Sequence, residues 1–204
     1  ISLNEQRDIL RELIHIKFPN TTKLIIDTMG SGAGLPSMFY ESWEYTDPKT
    51  KQVTEFPPII KDDDIEGQRL KGAIPLIRAI TATNSFNSEY YPYMKSCFED
   101  RSLELLLPSS EVDSDFKDNL LTVEEMSQHI EHDILISELS NIKQAFTESG
   151  NLTYAKIIKF KKRDRVTSLM YGLSFVYELE IDNRQNLYKD DRDDFSFLAE
   201  YATF

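Results

Sequence analysis

A single cysteine, Cys97, stands in 204 residues, which excludes an internal disulfide framework and any thiolate zinc cage and makes a reducing cytoplasm the easier home. No run approaches the roughly 18 unbroken apolar residues of a membrane span, and no charged-then-apolar leader opens the chain, so a soluble, unexported protein is expected. Histidine is equally sparse. His15, His129 and His132 are scattered, and the last two read more readily as helix surface than as a metal pair. Basic residues are outnumbered, 23 against 35 acids for a net charge of −12, which argues against indiscriminate nucleic-acid coating but leaves room for one basic groove. The apolar share of 40% suffices for one sizeable core or two small ones and excludes a disordered tail protein. Ile1 in place of methionine suggests a piece of something longer.

Charge is unevenly spread. Residues 156–165 hold Lys156, Lys159, Lys161, Lys162, Arg163 and Arg165 against Asp164 alone, the one concentrated basic stretch. After Tyr177 the sign reverses, and residues 182–204 are expected to form a solvated acidic tail.

Apolar spacing predicts a helix from about residue 4 to 17, closed by Pro19. Residues 23–27 (KLIID) form a short apolar run ending in an acid. Gly30, Gly32 and Gly34 follow, and Leu35-Pro36 opens a helical pattern through Met38, Phe39 and Trp43, so strand, glycine turn and helix are expected in succession. The next stretch is irregular, with Ile59-Ile60 as a short strand. Residues 73–82 look extended despite Pro75, and residues 86–97 helical. Residues 103–107 read as a buried strand. Thr122 and Glu125 form a capping-box signature before a long helix carrying Met126, Ile130, Ile134, Leu139, Ile142 and Phe146. Gly150-Asn151 turns the chain, residues 154–160 suggest a strand, and a final amphipathic helix starts near Asp164. Alternating helices and short strands favour an α/β architecture.

Two acids carry the candidate chemistry. Asp27, at the carboxyl end of an apolar strand before a glycine turn, occupies the edge where open α/β sheets place ligands. Its bland alternative is a turn residue satisfying backbone N–H groups. Asp164, at a helix start inside Lys162-Arg163-Asp164-Arg165, is either a capping acid or a metal ligand. Two such acids, each beside a core strand, suit shared divalent metals that hydrolyse a phosphodiester, with the neighbouring cations holding phosphates. The glycines lack the Gly-Lys-Ser/Thr of a phosphate loop, and no serine or cysteine sits in a nucleophile elbow. Tyr90, Tyr91 and Tyr93 are either base-stacking or core aromatics, and Asp62, Asp63 and Asp64 either solvated or a source of one ligand.

The order of these features resembles a known family. The helix with Gln6 and Leu10, then Lys23-Leu-Ile-Ile-Asp-Thr-Met-Gly-Ser-Gly-Ala-Gly-Leu35, then Asn87, the helix through Tyr90 and Phe98, and Leu103 to Pro108 look like the nuclease domain of the large terminase subunit of tailed bacteriophages. Lys162-Arg163-Asp164-Arg165-Val-Thr-Ser-Leu-Met-Tyr-Gly172 is similar to its closing motif, and the likeness runs to about residue 180. It implies a ribonuclease H-like domain over residues 1–181, with a central mixed sheet flanked by helices. It further implies an endonuclease that uses Mg²⁺ or Mn²⁺ to cut concatemeric viral DNA during genome packaging in the cytoplasm of an infected or prophage-carrying bacterium. Double-stranded viral DNA, the portal and the small terminase subunit are the implied partners, and no membrane. Asp27 would match the family's second catalytic acid and Asp164 its third. The first acid lies on an earlier strand and has no convincing counterpart here, the ATP-driven motor is absent, and Lys161, Lys162 and Arg163 stand where some members carry a histidine. A catalytically incomplete module that binds DNA or the portal is the alternative, and a structural protein without nuclease ancestry a third.

Overall fold

The computed structural model describes residues 2–147 and 152–199, with side chains for all of these except residues 31 and 186–199. The chain is α/β and divides into two compact units, Ile1–Thr83 and Asn84–Phe204.

The first unit opens with α1 (Leu3–Glu12), whose start is closed by a reciprocal capping box between Ser2 and Glu5. Residues Leu13–Lys17 continue it as a π-helical turn that ends before Pro19. The apolar run becomes β1 (Leu24–Asp27). Two 3₁₀ turns, Gly30–Gly34 and Pro36–Phe39, follow in place of the expected longer helix. Trp43, assigned to that helix by its spacing, instead lies on β2 (Trp43–Thr46), paired antiparallel with β3 (Val53–Phe56). The aromatic face of this hairpin overrides the local helical period: Trp43 pairs with Phe56, and His15 stacks on Phe56 at 4.2 Å between ring centroids. β4 (Ile59–Lys61) and β5 (Ile74–Ile80) appear where Ile59-Ile60 and the extended residues 73–82 were expected.

β1, β5 and β4 form a parallel sheet in the order β1-β5-β4. Pro75 is tolerated in the central strand because β1 pairs only from Ile77 onward, and a register shift follows its partner Ile60. Ile14, Ile26, Leu35, Phe39, Ile59 and Ile77 close the core. Arg11 is buried beside them, its guanidinium donating to the Glu41 carbonyl at 2.9 Å and lying 5.7 Å from the Phe39 ring centroid.

In the second unit, α2 (Asn84–Glu99) buries Tyr90, Tyr91, Met94 and Cys97. Residues 103–107 form no strand; Leu106 and Leu107 are exposed, and the His129 ring is bonded to the Leu107 carbonyl at 2.8 Å. After α3 (Ser109–Lys117), the Thr122–Glu125 capping box starts α4 (Val123–Leu139) as expected. That helix is shorter than its apolar spacing implied. Ile142 and Phe146 belong to β6 (Ile142–Phe146), whose pairing with β7 (Leu152–Lys156) satisfies backbone groups that a longer helix would have used. The expected turn at Gly150 and Asn151 lies outside the described residues. α5 (Asp164–Ala199) runs through the stretch expected to be a solvated acidic tail. No glycine or proline interrupts it after Gly172, and an Arg184–Glu180 pair four residues apart supports it. Among the described residues the strands thus form one parallel three-stranded sheet and two antiparallel pairs. Among the described residues no helix is long and apolar enough to cross a membrane.

Burial among the aromatics, reinforced by the nearby Arg11 charge, pulls the His15 imidazole below its ordinary value. The folded state therefore disfavours protonation, and the stability this contributes is present above about pH 6.5 and lost as pH falls through the lowered value. Trp43, the only tryptophan, stacks 5.8 Å from the His15 ring. Its fluorescence should titrate with a midpoint below 6.5, and His15→Asn should remove that transition.

Candidate functional site

Asp27 closes β1 opposite Ile80 of β5. Just beyond it the two strand ends are tied together, with Thr28 N–H donating to the Ile80 carbonyl at 2.8 Å and the Thr28 and Thr81 hydroxyls 3.1 Å apart. The Asp27 carboxylate is half-buried and accepts the Met29 N–H at 2.8 Å, so the turn role weighed from sequence is filled by one of its oxygens. Gly30 adopts φ +61°, and a Cβ at Gly32 would fall 2.2 Å from the Asp27 carbonyl oxygen. Gly32 is therefore a packing requirement: the backbone folds back onto the residue that ends the strand, and only glycine permits the approach.

Strand alternation places Ile25 and Asp27 on one face of β1, with Lys23 just before the strand, and register adds Arg78, the partner of Ile25. On that face Asp62 accepts Lys23 Nζ at 3.0 Å and lies 3.6 Å from Arg78 Nε. Asp62 thus orients two half-buried cations and Asp64 is held by the Tyr40 hydroxyl and the Gly67 N–H, so both are structural acids. Lys23 and Arg78 were not singled out from sequence, although the two-residue period back from Asp27 reaches Lys23 directly.

Asp164 is the first residue of α5 and is exposed. It does not cap the helix. The cap is Glu138 from α4, only 2% exposed, which accepts the Arg165 N–H at 2.9 Å and the Val166 N–H at 3.3 Å while its other oxygen meets Arg165 Nη1 at 3.2 Å. A buried carboxylate thus satisfies two of the amides that a helix start leaves open and pairs with the positive end of the helix. Glu138 escapes sequence reasoning because it looks like any acid near a helix end; only the packing of α4 on α5 aims it.

Of the six cations in residues 156–165, Arg165 is committed to Glu131 and Glu138, and the Lys161 ammonium bonds the Ser137 carbonyl at 2.9 Å. Lys159 and Lys162 are exposed, and Lys156 and Arg163 partly so. Tyr90 and Tyr91 are core residues, the latter stacked on Tyr154 at 4.5 Å, while Tyr93 packs on Tyr177 at 4.7 Å. His132, expected on a helix surface, is buried, and its Nδ1 lies 3.6 Å from Asp133 Oδ1 with no hydrogen-bond partner among the described residues.

Asp27 and Asp164 belong to different units. Their oxygens are the hard donors that Mg²⁺ or Mn²⁺ prefers. Among the described residues no group of three or more His, Cys, Asp or Glu side chains is placed to hold a metal ion. The donor set fits such an ion in kind and falls short of a full cage in number.

Substitutions at Glu138 and Gly32, each with a milder counterpart, test how the backbone around these acids is held. Glu138→Ala should cost about 3 kcal/mol in urea unfolding, because it leaves two helix amides without their acceptor and Arg165 with Glu131 alone, while Glu138→Gln should recover part of that loss. Gly32→Ala should displace the backbone at Asp27, seen as amide shift changes centred on residues 27–32 in NMR spectra, whereas Gly34→Ala, whose added Cβ meets only Leu3 at 3.9 Å, should not. Compared with protein-family models, curated proteins and solved structures, the chain finds no match, so the arrangement of its own residues is what supports a functional reading.

Proposed function

We propose that this chain is a ribonuclease H-like, metal-dependent DNA endonuclease domain of the terminase large-subunit type, cutting concatemeric viral DNA during genome packaging in the bacterial cytoplasm. The observation that carries the reading is the position of Asp27: a half-buried carboxylate at the carboxyl end of a parallel strand, backed by a glycine turn that admits no side chain at Gly32. The exposed Asp164 behind a run of cations, with its helix capped by another residue, supports the second half of the site.

In this reading Asp27 and Asp164 would each offer carboxylate oxygens to Mg²⁺ or Mn²⁺. Such ions stabilise the attacking and leaving oxygens of an in-line displacement at phosphorus. The protein's own part is to position and neutralise. The Met29 N–H fixes one Asp27 oxygen at the end of the strand. Lys156, Lys159, Lys162 and Arg163 meet backbone phosphates, which sets the duplex in register without reading its sequence. Lys161 and Arg165, tied to α4, stiffen that stretch more than they contact DNA. The portal and the small terminase subunit are partners of the intact subunit.

Two acids offset only part of the roughly four positive charges of two divalent ions, so the chain by itself is expected to cut weakly or not at all. The lack of a three-residue metal cluster among the described residues favours, as a second reading, a catalytically incomplete module that binds DNA or the portal. Plasmid cleavage in Mn²⁺ separates the two. Within the intact subunit, Asp27→Ala or Asp164→Ala should abolish nicking with little change in thermal stability, since neither removes core volume. Robust cutting that survives Asp27→Ala would remove the catalytic assignment, and calorimetry showing no Mn²⁺ uptake at millimolar concentration would favour the incomplete module.

A further inference from the structure

Phe160 is 92% exposed, more than any other large apolar side chain among the described residues. It sits at the tip of the turn between β7 and α5, with Ile157 and Ile158, 55% and 43% exposed, just before it. Leaving a phenyl ring in water forgoes the burial that ordinarily recruits such a residue to a core.

The turn is held firmly in place. Asn141, 4% exposed, clamps its near end: the Asn141 carbonyl accepts the Ile157 N–H at 2.8 Å, Oδ1 accepts the Ile158 N–H at 2.7 Å, and Nδ2 donates to the Ile158 carbonyl at 3.2 Å. Lys161 clamps the far end, its N–H donating to the Ile158 carbonyl at 3.2 Å and its ammonium to the Ser137 hydroxyl at 2.5 Å. The ring is thus presented on a fixed mount. Around it residues 157–163 contain Lys159, Lys161, Lys162 and Arg163 and no acid, in a chain whose net charge is −12.

We propose that this turn is a duplex-DNA wedge, in which Phe160 inserts against or between base pairs while Lys159 and Lys162 grip the flanking phosphates. A rigid apolar side chain amid cations has the chemistry of wedges that unstack a base step, the ring replacing lost base stacking and the lysines neutralising phosphates on either side. An anionic membrane surface shares part of that chemistry. The single ring and the strongly negative remainder of the chain favour a narrow polyanion that a small patch can engage over a broad charged surface that would repel the rest. The inference takes its partner from the DNA reading above and is independent of metal chemistry.

The test uses the full chain in EDTA, where no cleavage occurs, with a fluorescein-labelled duplex and a matched duplex carrying 2-aminopurine. Wild type should bind and raise the 2-aminopurine fluorescence. Phe160→Ala should weaken binding by about tenfold and abolish that rise while leaving the salt dependence unchanged. Lys159→Ala with Lys162→Ala should lower the slope of log affinity against log salt by about two. Phe160→Trp should keep both binding and the rise. Since Phe160 is exposed, unchanged melting of Phe160→Ala by circular dichroism confirms that folding is intact. The wedge is overturned if wild type binds no duplex, if Phe160→Ala binds and unstacks like wild type, or if Phe160-dependent binding appears only on phosphatidylserine-containing vesicles. Phe160-dependent DNA binding with no Mn²⁺ uptake in calorimetry would leave the wedge standing and count against the nuclease reading; Mn²⁺-dependent cleavage with Phe160-independent binding would do the reverse.

Discussion

A buried carboxylate at a helix start organises the second unit. Glu138 leaves α4 and accepts two amide protons and the guanidinium of Arg165 at the first turn of α5. An unpaired anion at 2% exposure would be strongly disfavoured, and helix amides without acceptors nearly as much, so each half of this arrangement requires the other. The consequence reaches beyond stability. With the cap supplied from α4, Asp164 is released from the local role that its position would otherwise give it, and the basic turn before it inherits a fixed anchor.

The first unit solves a different problem with backbone geometry. Its parallel sheet brings β1 to an edge and ends it at Asp27, while the glycine turn folds back to within a Cβ radius of that residue's carbonyl. A carboxylate held by its neighbour's N–H above a crowded backbone has little freedom to move. The cations Lys23 and Arg78, steadied by Asp62, share its face of the sheet, so two cations there offset the two acids. Each unit therefore fixes the backbone that carries one acid, by glycine packing at Asp27 and by the Glu138 cap on the helix that Asp164 opens.

Much of this was legible in the linear chain because it is written in short-range chemistry. The Thr122–Glu125 capping box marks the start of α4, the residues LIID mark β1, and the apolar spacing after Asp164 marks α5. Errors gathered where a local period lost to a distant partner. Trp43 fits a helical stripe but pairs with Phe56, and Ile142 and Phe146 fit the face of α4 but pair with Lys156 and Leu152. The leucines of residues 103–107 read as a buried strand and stay unpaired, since no neighbouring strand reaches them.

The sequence by itself determined the α/β alternation, the acid at the end of the first strand, the glycines after it, and the basic stretch that leads into the last helix. Those features depend on residues within one or two turns of each other, where spacing and side-chain type decide the outcome. Only the tertiary structure decided that Glu138 caps α5, that Gly32 is required by the Asp27 carbonyl, that His132 is buried, and that Phe160 stands out in solvent on a mount made by Asn141. Apart from the Gly32 approach, which spans five residues, each of these is a contact across about twenty residues or more, or the absence of one, and burial is a property of what packs against a side chain, which no local pattern carries.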